Sequence, residues 1–88
     1  MEYNVDIQVI REWEEIIKSK FQSLKTASEA NQYLEILQNA EGDINFRKKN
    51  IENEEGKKIA NNALDLIDEH YQTVLNWLEQ TPIVRSKN

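Results

Sequence analysis

Apolar residues in this chain return every three or four positions almost throughout, and only two glycines and one proline interrupt them. That spacing follows the roughly 3.6-residue turn of an α-helix, and nowhere does it give way to the alternation that a strand requires. The fold class that follows is all-α, so the open question is where the chain turns back on itself.

A first helix is expected over residues 6–24, with Asp6 as its N-cap and Ile10, Trp13, Ile17, Phe21 and Leu24 along one face. The next start is marked by Thr26 and Glu29, which have capping-box spacing, with Ser28 as an alternative cap. Beyond it, Gly42-Asp43 looks locally like a stop, but the phase of the apolar stripe argues for continuity. At about 100° per residue, Ile44 and Ile51 fall about 20° and 40° from Leu37, on the face that already holds Ala30 and Tyr33. Placed on one long helix with Ile67, they would lie on its opposite side. The second helix is therefore expected over 28–53, with a tight turn around Glu54-Glu55-Gly56. A third should run over 57–80, stopped by Thr81-Pro82. Its stripe of Ala60, Ala63, Leu64, Ile67, Tyr71, Val74 and Leu78 is broad enough to need two neighbours.

Short connections make consecutive helices antiparallel, so the expected architecture is a three-helix antiparallel bundle. With a shorter first helix, the hairpin tip at residues 47–60 is expected to project beyond it. Residues 1–82 are read as a single helical domain and 83–88 as a flexible tail.

Composition narrows the possible functions. Hydrophobic residues at 39% and charged ones at 31% suffice for a modest core, and without cysteine that core must hold unaided by disulfide or thiolate-bound zinc. The start Met1-Glu2-Tyr3-Asn4 does not read as a signal peptide and no apolar run is long enough for a membrane span, so a cytoplasmic protein is expected. Abundant Asn, Ile, Lys and Glu match AT-rich codons and suggest a bacterial or phage origin. A net charge of -5 disfavours a phosphate backbone as partner.

The search for chemistry yields no cofactor or metal site. Glu-x-x-His pairs of the di-iron kind and clustered glycines for phosphates are both missing. The lone histidine, His70, sits at the rim of the third stripe with no nucleophile nearby in sequence, and is read as a boundary residue. The runs Glu12-Glu14-Glu15 and Asp65-Asp68-Glu69 are read as solvated helix faces. In the basic run Arg47-Lys48-Lys49 with Lys57-Lys58, the interleaved Glu52, Glu54 and Glu55 are expected to pair with the cations.

Phe46 does not fit the core, because a continuous second helix points it about 180° from Leu37. It heads the candidate partner contacts, with Trp77, Trp13, Arg47 and Lys48. The expected function is non-catalytic: a small acidic protein-binding module that regulates or inhibits a larger protein, of the phage anti-defence, immunity or antitoxin type. An acidic mimic of DNA that blocks a nucleic-acid enzyme is the alternative, and a structural homodimer is a further one. The expected partner is another protein or a second copy, rather than nucleic acid or membrane.

Overall fold

A computed structural model describes residues 5–80. Its helices are α1 (Val5–Gln22), α2 (Ala27–Lys48) and α3 (Glu54–Gln80), each packed against the other two. The expected three-helix antiparallel bundle is the observed fold. No helix is long and apolar enough to cross a membrane among the described residues. Pro82 and the expected tail at 83–88 lie outside the described residues.

The core is built from the expected stripes. Ile10 and Ile17 of α1 meet Ala30, Tyr33, Leu37, Ala40 and Ile44 of α2, and Ala60, Ala63, Ile67 and Val74 of α3, all within 3% of complete burial. Four of these residues are alanines, and small side chains let helix backbones approach closely while the isoleucines and Leu37 fill the space between. Gly42 lies within α2 with open space around it, as the continuity of the stripe requires.

Helix ends differ from the sequence reading in instructive ways. Asp6 is not a cap but lies in the first turn of α1, which begins at Val5. At the other end α1 stops at Gln22, where Ser23 and Leu24 donate to the carbonyls of Lys20 and Phe21. Thr26 is the N-cap of α2. Its hydroxyl accepts from the Glu29 amide at 3.1 Å, and the Glu29 carboxylate accepts from the amides of Lys25 and Thr26 at 2.8 and 3.2 Å. Those backbone bonds, Lys25 first, hold the Glu29 carboxyl below the usual carboxylate range.

The second bend occupies residues 49–53 rather than Glu54-Glu55-Gly56. Lys49, Asn50 and Ile51 each donate to a carbonyl three residues back, which tightens and ends α2 without any left-handed residue. Ile51 is nonetheless buried, tucked beneath the bend. Asn53 then opens α3: its side-chain oxygen accepts from the Gly56 amide at 2.6 Å and its carbonyl from the Lys57 amide at 3.1 Å.

Gly56 is thus the third residue of α3, and tertiary packing is what requires it. A Cβ there would stand 2.5 Å from Ile51 Cγ2 and 3.0 Å from Ile7 Cδ1. This close approach also corrects the expected overhang, because α1 reaches the bend instead of falling short of it. Ile7 opposite Gly56, and Phe21 stacked on His70, show that α1 and α3 run parallel in near-constant register. The nine residues by which α3 (27 residues) exceeds α1 (18 residues) therefore lie at the other end of the bundle.

Candidate functional site

Among the described residues two polar clusters join the helices, beside a single bond in which the Gln38 amide donates to the Tyr71 hydroxyl at 3.0 Å. Near the bend, the Trp13 indole N–H donates to Asp43 Oδ2 at 2.8 Å, and Arg47 holds the same oxygen at 3.0 Å through Nε. The guanidinium also reaches Asp6 Oδ1 of α1 at 2.9 Å through its NH1 nitrogen. The Trp13 bond, seconded by Arg47, holds the Asp43 carboxyl below its ordinary range, and Asp43 and Asp6 in turn hold the Arg47 guanidinium above its own. Each of these side chains retains partial exposure, so the network chiefly fixes geometry and contributes little to stability as a pair of charges.

At mid-bundle all three helices meet through aromatic rings. The Tyr33 hydroxyl lies 3.0 Å from the Ile17 carbonyl and 2.6 Å from His70 Nδ1. A hydroxyl has one proton, so both contacts are satisfied when it donates to the carbonyl and accepts from a protonated Nδ1. Phe21 stacks on the imidazole with centroids 4.1 Å apart. Burial pushes the His70 pKa down, with Lys18 acting in the same direction and Glu69 against it. Burial pushes the Tyr33 hydroxyl well up, so it stays protonated. His70 is accordingly tied into packing, as a boundary residue should be.

The candidate contact residues separate into three groups. Trp13 and Arg47 belong to the clasp just described, and their polar atoms are engaged. Arg47 pairs with Asp43 and Asp6, and not with the Glu52, Glu54 and Glu55 expected from the sequence. Trp77 lies at the far end of α3, 40% exposed, beside a cleft lined by Phe21, Leu24, Lys25, Thr73 and Val74. Phe46 and Lys48 remain at the bend, and Phe46 is 65% exposed, as its position on the helical wheel implied.

Around Lys48, on the helical turn that also carries Phe46, the structure gathers residues whose role the sequence left undecided. A shallow groove between α2 and α3 is lined by Asn45, Lys48, Lys49, Ile51, Glu52 and Lys57. None of Lys48, Lys49, Lys57 and Lys58 makes an ion pair among the described residues, contrary to the expected pairing with the glutamates. The sequence did show these cations, but their freedom depends on where the bend falls. With α2 ending at Lys48, the 49–53 segment breaks the i to i+4 spacing from Lys48 to Glu52, while Glu54 keeps that spacing to Lys58 within α3 and still forms no ion pair with it.

Fold and site together define a small helical bundle whose α2–α3 bend presents one large apolar side chain and, among the described residues, several unpaired cations. No family model, curated protein or solved structure matches the chain. Geometry alone therefore bears on function. No group of three or more metal-ligating side chains occurs among the described residues.

Proposed function

We propose that the protein is a non-catalytic binding module that regulates or inhibits a larger protein, and that the α2–α3 bend is the surface it presents. The observation that carries this reading is Phe46, 65% exposed on a helix whose opposite face is buried in the core. With most of its surface exposed, the phenyl ring contributes little to the fold. Burying it against a partner is worth about 1–2 kcal/mol, more than most interface residues contribute. The clasp of Arg47 to Asp43 and Asp6 supports the reading, because a surface that is ordered beforehand loses less entropy on association. A cytoplasmic regulator of the phage anti-defence, immunity or antitoxin type fits the size, acidity and lack of cysteine.

The test is affinity capture from the native host with the wild-type protein and with Phe46→Ala, followed by mass spectrometry. A partner held by the wild type and depleted severalfold by the variant is expected. Equal recovery with both would remove this surface from the reading.

A second reading rests on α3, where Asp65, Asp68, Glu69 and Glu79 are exposed and no Lys or Arg occurs from residue 59 to residue 80. An acidic face of this kind would suit an imitation of DNA phosphates. Its binding to a nucleic-acid enzyme would weaken steeply with added salt, whereas contact through Phe46 would change little.

A further inference from the structure

We propose that the bend docks an acidic segment of the protein partner, whose apolar side chain contacts Phe46 while its carboxylates meet Lys48, Lys49 and Lys57 along the groove above Ile51. This deepens the binding reading and rests on it. Three observations support the chemistry.

The first is charge segregation. Neither residues 27–46 nor residues 59–80 contain a Lys or Arg, so every cation of α2 and α3 is gathered at their shared bend in a chain of net charge -5. Arg47 is consumed by the clasp, and the lysines are not.

The second is that the fold disfavours some of these cations where they stand. Lys48 suits the C-terminal end of α2, whose partial charge is negative. Lys57, however, follows Glu54 and Glu55 at the positive N-terminal end of α3, where the helix favours anions. Lys57 has no carboxylate partner among the described residues to offset that position, so an anion brought by a partner would gain from it.

The third is the mixture within the patch. Glu52 lines the groove beside the lysines, and Glu54 and Glu55 line a neighbouring cleft that shares Lys57, so a regular run of phosphates laid across the bend would meet carboxylates among the ammonium groups. A peptide with discrete acidic residues and an apolar anchor between them can avoid the glutamates. Complementarity of this kind selects an acidic protein segment over nucleic acid.

The experiment is a two-dimensional amide NMR titration of the full chain. The probes are an amphipathic peptide of Glu, Asp and Leu, its Leu-to-Ser counterpart, a Lys-for-Glu/Asp counterpart, and a short single-stranded oligothymidylate. The first peptide should move the amide signals of Phe46, Lys48, Lys49 and Lys57 selectively, and the other three probes should bind more weakly. The triple variant Lys48→Glu, Lys49→Glu, Lys57→Glu should weaken the first peptide by roughly tenfold or more. The neutral triple variant with Gln at the same positions should weaken it by less, and retention of the helical circular dichroism in both variants separates lost binding from lost fold. The proposal is overturned if shifts centre elsewhere, if neither variant alters affinity, or if the oligothymidylate binds more tightly. Host capture with the Glu variant separates the two readings. A partner that depends on Phe46 yet survives charge reversal leaves the binding module standing and removes the acidic segment. Equal capture by wild type and Phe46→Ala removes the bend as the binding surface, and the acidic segment with it.

Discussion

The two glycines of this chain should respond to the same substitution with opposite signs. At Gly42 a new Cβ meets nothing within 4 Å, and the residue sits inside α2, where alanine loses less backbone entropy on folding. Gly42→Ala should therefore stabilise the protein by about 0.5–1 kcal/mol. At Gly56 the same atom would lie 2.5 Å from Ile51 Cγ2, roughly 1 Å inside a normal carbon contact. Ile51 is 2% exposed and cannot swing into solvent, and Ile7 Cδ1 closes the other side at 3.0 Å. Overpacking at such a site costs about 1–3 kcal/mol, against a helix-propensity gain of at most about 1 kcal/mol. A contact as short as 2.5 Å puts the cost in the upper half of that range, so the net loss for Gly56→Ala is about 1–2 kcal/mol, which for a domain of this size lowers the melting temperature by roughly 5–15 °C. Thermal and urea unfolding followed by far-ultraviolet circular dichroism would read both variants. Ile7→Val, which removes the Cδ1 contact, should recover part of the loss when combined with Gly56→Ala. If Gly56→Ala melts at or above the wild-type temperature, the close packing of α1 against the bend is not as described.

Other perturbations have equally definite outcomes. Thr26→Ala removes the hydroxyl acceptor of the α2 capping box and should cost about 1 kcal/mol by urea unfolding, while Thr26→Ser should cost much less. Trp13→Phe replaces the indole with a smaller aromatic ring and deletes the donor to Asp43, and should cost about 1 kcal/mol or more, read as a lower urea midpoint at unchanged slope. His70 has a folded pKa below its unfolded value, so its contribution is complete above about pH 6.5 and is lost as pH falls toward the folded value. The melting temperature should accordingly rise between about pH 5 and pH 7.5 in the wild type, and this rise should shrink in His70→Phe. Phe46→Ala should leave the urea midpoint within about 0.5 kcal/mol of wild type, since the ring is exposed.

Comparison of sequence and structure separates what is written locally from what is not. Periodicity was sufficient to place Ile10, Ile17, Leu37, Ile44 and Ile67 in one core, and to turn Phe46 outward, because a helical wheel depends only on residues a few positions apart. The capping box at Thr26 and Glu29 is local in the same sense. Gly56 misled because glycine is a common turn residue, whereas here its role is set by Ile7, far away in the chain. Ile51 was rightly judged buried, but it reaches the core from the bend and not from an extended α2. The partners of Arg47 and Trp13 lie 41 and 30 residues distant, so their polar atoms looked available in the sequence and are engaged in the fold. The Asp43 and Arg47 spacing of four was the one local signal that could have revealed part of the clasp.

Because α1 begins where α2 ends and α3 begins, a carrier joined on the N-terminal side of Val5 would attach at the same end of the bundle as the Phe46 and Lys48 surface. A carrier placed after Gln80 would attach at the far end of a helix about 40 Å long. Bait for partner capture should therefore be immobilised through its C-terminal side, since an N-terminal carrier would crowd the surface under test and imitate a loss of binding.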